Sequence, residues 1–408
     1  MEKEVILVGG LGYGDEGKGS IVDYLVRTKR AKVVVRFNGG AQAGHNVVTP
    51  EGLHHTFSQF GSGTFVPGVK THLSSFMILN PLSMMREEEH LQSLGIKDVF
   101  QRTTIDGKAL VTTPFQIAVN RLLEIWRCNK KHGSCGIGIG QTIEDYQKYG
   151  NKVLFAKDLR DPEITAKKLE FLRKEGHDTI HDLVSNLPQT EVVKKELEWL
   201  EDKYVADDLA RDFYCFTTLV KIVDENYFAG LLRDNPVLVF EGAQGTLLDR
   251  KYGFYPHITK TNTTFANAYK LLDGAGYQGK ITRIGVLRGY ATRHGAGPFP
   301  SEDETLTRIL KDDHNVYDQW QGDFRIGWFD IPLTKYAITA NSGVDYIALT
   351  NLDRLSILET IKVRIDSGFL EFSGWQEYVD FLQSKDGLNV PIKILSFSPT
   401  WKEKILVN

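Results

Sequence analysis

Short apolar runs that end in small or polar residues recur along the chain. A continuous apolar run of this length, bounded by turn residues, is typical of a strand that is buried on both faces of a parallel sheet. Each run is followed by a loop that contains Gly, Ser, Asn or Asp. The runs lie at residues Val5–Val8, Lys32–Phe37, Val237–Phe240, Ile281–Val286, Tyr346–Thr350 and Ile392–Leu395.

The first two runs are separated by a segment with helical spacing of apolar residues, from Ile21 to Val26. This order of strand, loop, helix and strand opens a parallel α/β sheet with a right-handed crossover. Residues 158–235 show mainly helical patterns among many charges, which we interpret as a solvated face. We therefore predict an α/β fold with a large, mostly parallel central sheet and helices on both faces. It forms one domain, 1–408, with a helical insertion over roughly 158–235.

Composition narrows the class of protein. The 408 residues are 41% hydrophobic and 25% charged, with 49 Lys and Arg against 52 Asp and Glu. This composition excludes wholesale disorder. The chain has no excess of basic residues, which a nucleic-acid-binding protein would be expected to have. No apolar stretch approaches the ~18 residues of a membrane span, and no signal-peptide layout is visible. Three scattered cysteines cannot form a disulfide framework, so we expect a reducing, cytoplasmic environment without membrane partners.

The 38 glycines concentrate in loops at predicted strand ends, and the first of these loops matches two nucleotide-binding templates. Residues Gly12, Gly14 and Gly17 fit the dinucleotide fingerprint, while Gly12 to Lys18 fits most of a P-loop. The dinucleotide template requires an acidic residue about 20 positions on, and the second strand ends in Arg36-Phe37-Asn38 instead. The P-loop template requires Ser or Thr after Lys18, where Gly19 stands.

A P-loop-like phosphate loop of neither standard kind is the interpretation we favour. Glycine backbone N–H groups can approach phosphate oxygens, a helix N-terminus favours anions, and Lys18 adds a positive charge. Asp15 would repel phosphates, so it suits a magnesium ligand or a proton acceptor. The simpler alternative is an ordinary strand-to-helix turn with a surface lysine.

Three further loops carry candidate chemistry. His45 follows a glycine-rich strand end, which makes it a candidate acid, although an isolated histidine is more often structural. Gln244 follows the Val237–Phe240 strand, and its side-chain amide could form hydrogen bonds with a neutral polar group of a ligand. The loop from Lys131 to Gly140 could cradle a phosphate, but this signal alone is weak.

Several of these motifs together resemble the adenylosuccinate synthetase family. They occur in the family's order and extend over most of the chain. The matching segments are Gly14-Asp-Glu-Gly-Lys-Gly19, Gly39-Gly40 with Ala43-Gly44-His45, Phe240-Glu-Gly-Ala-Gln-Gly-Thr-Leu-Leu-Asp249, Asn262-Thr-Thr264, and Thr292-Arg293 with Gly295-Ala-Gly-Pro-Phe-Pro300.

The resemblance implies a ligase of purine biosynthesis that joins aspartate to IMP, with GTP as phosphoryl donor and Mg²⁺ as cofactor. By position, Asp15 would be the catalytic base and a magnesium ligand, and the Gly44 carbonyl would also contact magnesium. His45 would act as the acid that stabilises the transferring phosphoryl group, and Lys18 would hold phosphates. Nucleotide contacts would also come from Gly14, Glu16, Gly17 and Gly19.

The resemblance also implies sites for the two nucleotides. Gln244 would lie near the base of the nucleotide substrate and Thr259 near its phosphate. Asp353 would read guanine, because a carboxylate accepts hydrogen bonds from guanine N1 and N2 and repels the acceptor N1 of adenine. Asn351 replaces the lysine of the family's guanine motif. Ser396 and Ser398 would flank the same base.

The substrate side departs from the family pattern. Gln42 replaces an asparagine that contacts substrate, Ser134-Cys135 replaces a Thr-Thr pair, and Ile137 replaces an arginine. Only Arg325 remains of the arginine cluster expected in the aspartate loop, which here runs from Gln319 to Arg325. Arginines there would bind the carboxylates of aspartate by bidentate pairing, which neutral residues cannot replace. Cys135 is a candidate redox site or, more simply, a small packed thiol.

Three hypotheses follow for the function. One is a ligase that uses GTP, an IMP-like nucleotide and aspartate or another amino acid. The second is a paralogue of specialised metabolism with a non-IMP or non-aspartate substrate. The third is a nucleotide-binding regulator without catalysis, against which Asp15, Lys18 and His45 argue. Family members are dimers, so a homodimer is expected, although Tyr146–Lys152 lacks the arginine pair that would reach the partner's nucleotide.

Overall fold

The computed structural model describes residues 3–128, 131–311 and 320–407. In chain order the strands are β1 (Glu4–Gly10), β2 (Val33–Arg36), β3 (His45–Val48), β4 (His54–Phe57), β5 (Lys70–Leu73), β6 (Ile78–Leu79), β7 (Thr103–Asp106), β8 (Leu110–Val111), β9 (Lys221–Val223), β10 (Val237–Gly245), β11 (Lys280–Arg288), β12 (Ala291–His294), β13 (Phe324–Gly327), β14 (Phe329–Asp330), β15 (Tyr346–Thr350), β16 (Ile361–Ile365), β17 (Gly368–Phe372), β18 (Ile392–Ser396) and β19 (Lys404–Leu406).

The α-helices pack around these strands. They are α1 (Lys18–Thr28), α2 (Pro81–Ser93), α3 (Pro114–Trp126), α4 (Ile139–Tyr149), α5 (Pro162–His181), α6 (Glu191–Glu201), α7 (Val205–Leu219), α8 (Glu225–Asp234), α9 (Ala266–Gly274), α10 (Glu304–Ile309), α11 (Ile331–Ala340) and α12 (Trp375–Gln383). No helix of the described residues is long and apolar enough to cross a membrane.

Ten strands form the central sheet, in the order β19-β18-β15-β11-β1-β10-β2-β5-β7-β9. All neighbours are parallel except β19, which is antiparallel to β18. All six apolar runs of the sequence are strands of this sheet, which confirms the predicted fold class. The parallel arrangement brings the loops after β1, β10, β11 and β15 to one edge of the sheet.

The alternation of side chains along β1 shows that the sheet is covered on both faces. Val5 and Leu7 join a core that includes residues of α8, α9, α11 and α12. Ile6 and Val8 join a smaller core on the opposite face, formed largely with α1. Since successive residues of one strand enter different cores, the continuous apolar run follows directly from two buried faces.

A third core lies beside the β5–β7–β9 end of the sheet and is built mainly from α2, α3, α5, α6 and α7. Residues 158–235 supply α5 to α8 of the fold, as their helical pattern predicts. The segment also contains β9, which pairs with β7 at the sheet edge. That strand has three residues with one exposed lysine, so its pattern carries little strand signal.

Candidate active site

The first glycine loop wraps around the carboxylate of Glu16. Glu16 Oε1 accepts the backbone N–H groups of Gly12 at 2.9 Å and Gly14 at 2.7 Å. Lys18 Nζ lies 2.6 Å from Glu16 Oε2 and donates to the Gly14 carbonyl at 2.7 Å. Both side chains are buried, which excludes the alternative of a turn with a surface lysine. The loop therefore has the donor arrangement of an anion site, with an internal carboxylate among its N–H groups.

Helix α1 begins directly after this loop. Gly17, the residue before it, has a φ of +84°, a left-handed conformation that suits glycine. Gly19, in the first turn, lets β3 approach closely, because a Cβ there would lie 2.9 Å from the Cβ of His45. The N-terminus of α1 and His45 are therefore direct neighbours.

Asp15 lies at the open side of the loop. Its main-chain carbonyl accepts a hydrogen bond from Arg288 Nε at the end of β11. Its half-buried carboxylate lies with Oδ2 3.5 Å from Nε2 of His294, the last residue of β12. The ring of His294 contacts that of Phe324 with a centroid distance of 4.8 Å. His294 was not predicted from sequence, since no template places a histidine there.

His45 is tied to a buried carboxylate. Its Nδ1 lies 2.5 Å from Glu241 Oε1, and the backbone N–H of Ser62 donates to Glu241 Oε2 at 2.9 Å. The Ser62 hydroxyl also donates to this carboxylate. Arg36 lies opposite Glu241 in the register of β2 and β10, so a buried cation adjoins the pair. Glu241 was not predicted from sequence, although it directly precedes the loop that contains Gln244.

The surroundings of the His45–Glu241 pair determine which of the two groups carries a proton. Burial alone would raise the pKa of Glu241, but the Arg36 cation and hydrogen bonds from His45 and Ser62 lower it overall. The ionised carboxylate can only accept, so Nδ1 of His45 carries the proton that it donates. Burial lowers the pKa of His45 to about 4, with Arg36 and Lys18 adding to the effect and Glu241 opposing it. The imidazole is therefore neutral at pH 7, and its Nε2 has a lone pair.

Gln42 and Gln244 lie on either side of the Gly39-Gly40 turn. Gln244 has a φ of +56° at the end of β10, an uncommon conformation for a residue with a side chain. Within the described chain, the buried side-chain oxygens of both glutamines have no hydrogen-bond partner. Buried acceptors without donors are costly, so these two amides are ready to accept hydrogen bonds from a ligand.

The remaining predicted substrate residues lie on two loops. Thr259 shares a hydrogen bond of 3.1 Å with the hydroxyl of Thr261. Ser134 pairs with the Asn120 amide of α3 at 3.0 Å, and the half-buried Cys135 follows it. The next residue, Gly136, packs against the ring of Trp320, where a Cβ would lie 2.8 Å from the indole. The loop that carries Ser134 and Cys135 therefore meets the loop that leads to Arg325.

The predicted guanine site lies on two adjacent strand ends. Thr350 ends β15 and donates from Oγ1 to the Glu16 carbonyl at 2.7 Å, which links this end to the glycine loop. Asn351 follows with a φ of +57°, and Asp353 is exposed in the next turn. Ser396 ends the neighbouring β18 and donates to the Ser398 carbonyl at 3.2 Å. The structure thus brings the four predicted base-binding residues to neighbouring loops.

Arg325 is fully engaged within the protein. Its Nη1 lies 2.6 Å from Glu302 Oε2, its Nε donates to the Gly295 carbonyl at 2.9 Å, and its Nη2 donates to the Gly297 carbonyl at 3.0 Å. These contacts bind β13 to the loop after β12. Gln319, at the start of the same predicted loop, lies outside the described residues.

This chain is similar to adenylosuccinate synthetases over most of its length. A family model described as adenylosuccinate synthetase matches residues 7–405. An adenylosuccinate synthetase of Thermoplasma volcanium is 34% identical over 366 residues, covering 88% of this chain and 77% of that protein. Adenylosuccinate synthetase 1 of Pseudoalteromonas translucida is 31% identical and covers 100% of this chain and 99% of its own.

Two solved structures share the fold. The fully ligated adenylosuccinate synthetase of Plasmodium falciparum superposes with a TM-score of 0.79 and 24% identity, covering 99% of this chain and all of that one. The succinoaminodeoxyadenylate synthetase of cyanophage S-2L, bound to dGMP and to dATP as an energy donor, superposes with a TM-score of 0.68 and 17% identity. It covers all of this chain and 96% of that one.

Proposed function

The chain belongs to the adenylosuccinate synthetase family, whose members are C–N ligases, and we propose that it uses GTP to phosphorylate the carbonyl oxygen of an IMP-like purine nucleotide. An amine, aspartate or another amino acid, then displaces the phosphate. The observation that carries this proposal is the placement of Asp15, Lys18 and the His45–Glu241 pair around the N-terminus of α1. Phosphoryl transfer depends on positioning and on neutralising charge, which these groups provide.

Asp15 is the proposed base. The glycine loop contains two carboxylates. That of Glu16 already accepts hydrogen bonds from two backbone N–H groups and from the Lys18 ammonium, so that of Asp15 is the one available to a ligand. Asp15 removes the N1 proton of the purine, which shifts electron density onto the 6-oxygen. That oxygen attacks the γ-phosphorus of the donor, and Lys18 balances negative charge beside the phosphates.

His45 is the proposed acid. The Glu241 carboxylate accepts a hydrogen bond from Nδ1–H of His45, so the ring can take a second proton only at Nε2. The negative charge of an arriving phosphate favours that second proton. The imidazolium then stabilises charge on the transferring phosphoryl group, and Glu241 stabilises the imidazolium.

Mg²⁺ fits the donors of this loop. Oxygen ligands are what Mg²⁺ prefers, and it commonly takes one or two protein ligands and completes its shell with phosphates and water. The half-buried Asp15 carboxylate and the carbonyl of the exposed Gly44 would hold it. No group of three or more His, Cys, Asp or Glu side chains poised for a metal occurs among the described residues, so an ion held mainly by phosphates suits this site. When bound, Mg²⁺ would neutralise phosphate charge.

The two nucleotides are assigned to opposite sides of the glycine loop. The unpartnered amide oxygens of Gln42 and Gln244 suit the base of the nucleotide substrate, with Thr259, Ser134 and Cys135 toward its phosphate. Asn351, Asp353, Ser396 and Ser398 suit the donor base, with Gly14, Glu16, Gly17 and Gly19 near its phosphates. The cyanophage protein binds dGMP and dATP. A guanine-type substrate and an adenine donor are therefore the second candidate pair.

Positional isotope exchange in GTP tests the first chemical step. With Mg²⁺ and nucleotide but no amine, bridging oxygen should scramble into the β-phosphate. Asp15→Asn and His45→Ala should abolish the exchange, and unchanged activity in both would contradict the site assignment. A nucleotide-binding regulator would show neither exchange nor phosphate release. Robust turnover of GTP, IMP and aspartate would contradict the altered-substrate alternative.

The oligomeric state is part of the proposal. Family resemblance favours a homodimer in the cytoplasm, with the active site near the subunit interface. Light scattering of the purified protein measures the mass directly, and a value near 46.1 kDa, that of one chain, would contradict the dimer.

A further inference from the structure

An open cleft of about 420 Å³ lies where the loop around Gly133 faces the hairpin formed by β12 and β13. One wall carries Lys131, and the other carries Trp320, Asp323 and Arg325. Gly295, which also lines the cleft, directly follows His294, whose ring contacts Asp15. One end of the cleft therefore lies close in the chain to the histidine that faces the proposed base.

The positive charge of Arg325 is already compensated in this cleft. Glu302 forms an ion pair with it at 2.6 Å, and two main-chain carbonyls accept two more of its five N–H groups. A substrate carboxylate at Arg325 would compete with the carboxylate of Glu302, which already compensates the charge of the guanidinium. Binding of a carboxylate to Arg325 would also disturb the loop that shapes the cleft, because Glu302, Gly295 and Gly297 all belong to that loop.

Asp323 gives the same wall a negative charge. Its side chain is exposed, and it is in no ion pair with another described residue. The sequence between Lys311 and Arg325 contains no lysine or arginine that could neutralise it. A substrate carboxylate next to Asp323 would meet like-charge repulsion, whereas an ammonium or amide N–H₂ group would find an acceptor.

We propose that the amine substrate is an amino acid whose side chain ends in an amide or an ammonium group rather than a carboxylate. Its side-chain donor suits Asp323, and its stem packs beside Trp320. This proposal rests on the ligase function proposed above. The α-amine nitrogen bonds to the purine carbon, the carbon–oxygen bond breaks, and the leaving phosphate takes the electron pair and the proton lost by nitrogen.

The test compares amines of matched size. Positional isotope exchange first identifies which of IMP, GMP, dIMP and dGMP is phosphorylated without any amine. Steady-state phosphate release with that nucleotide then gives kcat/KM for aspartate, asparagine and 2,4-diaminobutyrate. We expect asparagine or 2,4-diaminobutyrate to exceed aspartate by at least about tenfold, the range expected from pairing or repelling one charge.

Variants separate the charge effect from a general defect. Asp323→Asn should lower the ratio of kcat/KM for 2,4-diaminobutyrate over aspartate by about fivefold or more, mainly through KM. Asp386→Asn, at an exposed position away from the cleft, removes the same charge and should leave the ratio unchanged. Isotope exchange without amine should stay the same in both variants.

The outcomes are distinct. Exchange with a preference for aspartate, or an unchanged ratio in Asp323→Asn, overturns the acceptor proposal and leaves the ligase function standing. Absence of exchange with all four nucleotides, in GTP and in ATP as donors, overturns the ligase function and the acceptor proposal with it.

Discussion

His45 is neutral in the structure because burial and two nearby cations outweigh its carboxylate partner. Glu241 holds one proton on Nδ1, and Arg36 and Lys18 disfavour a second. In the proposed mechanism, a phosphate beside Lys18 reverses this balance by supplying negative charge. The residue can then become an acid only when its substrate is present, which limits proton transfer to the loaded site.

Glu241→Gln tests this arrangement at a single residue. The amide keeps the shape but has one acceptor oxygen instead of two, and it carries no charge to stabilise an imidazolium, so kcat should fall by about 10²-fold or more. Glu87→Gln is the matched control, since Glu87 is a buried carboxylate that accepts the N–H groups of Ser58 and Gln59. It should retain kcat while losing stability. Equal kcat losses in the two variants would contradict a role for Glu241.

His294 offers a second residue-scale prediction. Its Nε2 lies 3.5 Å from Asp15 Oδ2, so we expect it to orient the proposed base. His294→Leu should lower kcat by about tenfold with little change in the nucleotide KM, because the base loses its orienting partner. His294→Gln, which restores a donor, should recover most of the activity. A similar loss in both variants would assign His294 a packing role only.

The sequence predicts site residues that belong to a template, but it gives no signal for residues whose role depends on a distant partner. Asp15, Lys18 and His45 lie in glycine loops at strand ends, where the pattern itself indicates ligand chemistry. Glu241 directly follows an apolar run, and its role depends on a contact with His45, 196 residues away in sequence. His294 likewise depends on a contact with Asp15. Long-range pairing of this kind leaves no local pattern.

At the scale of elements, strand prediction succeeded where both faces of the strand are buried. β1, β10 and β11 have apolar side chains on both faces, and their runs are continuous. β5, with sequence Lys-Thr-His-Leu, and β7, with Thr-Thr-Ile-Asp, place polar groups inside the protein and were not predicted. These polar groups gain partners only through tertiary contacts, such as the hydrogen bond between His72 Nδ1 and the Thr104 hydroxyl.

The contact between α1 and β3 gives an element-scale prediction. Alanine is a better helix former than glycine by about 1 kcal/mol, so Gly19→Ala would stabilise an isolated helix. In the protein its Cβ would lie 2.9 Å from His45 Cβ and 3.0 Å from the Asn46 carbonyl oxygen. We expect a net destabilisation of about 1–3 kcal/mol from overpacking, together with loss of activity as His45 moves.

Gly274→Ala, at the end of α9, is the control for helix propensity. Nothing lies within 4 Å of its added Cβ, so the free energy of unfolding should stay equal or rise slightly. Denaturant unfolding measures both variants. Gly19→Ala as stable and active as the unmodified protein would mean that α1 and β3 can separate without cost.

At the scale of the whole molecule, stability depends on histidines that fold in the neutral form. His72 on β5 is buried, stacks on Phe228 with ring centroids 5.6 Å apart and pairs with the Thr104 hydroxyl at 3.0 Å. Burial lowers its pKa to about 4 from the ordinary 6.5, as it does for His45. The unfolded chain therefore binds more protons than the folded one between these two pKa values.

Stability should accordingly fall as the pH drops from 7 to 5. The unfolded state gains protons below pH 6.5 and the folded state only near pH 4, so this one residue contributes a loss of roughly 2 kcal/mol over that range. His72→Asn keeps an acceptor for Thr104 and does not titrate. It should lower stability at pH 7 through lost packing but weaken the pH dependence by about the same 2 kcal/mol. Urea unfolding of both proteins at pH 7 and pH 5 measures the difference. Equal pH dependence would show that His72 accepts its proton within the fold, through rearrangement of the β5–β7 region.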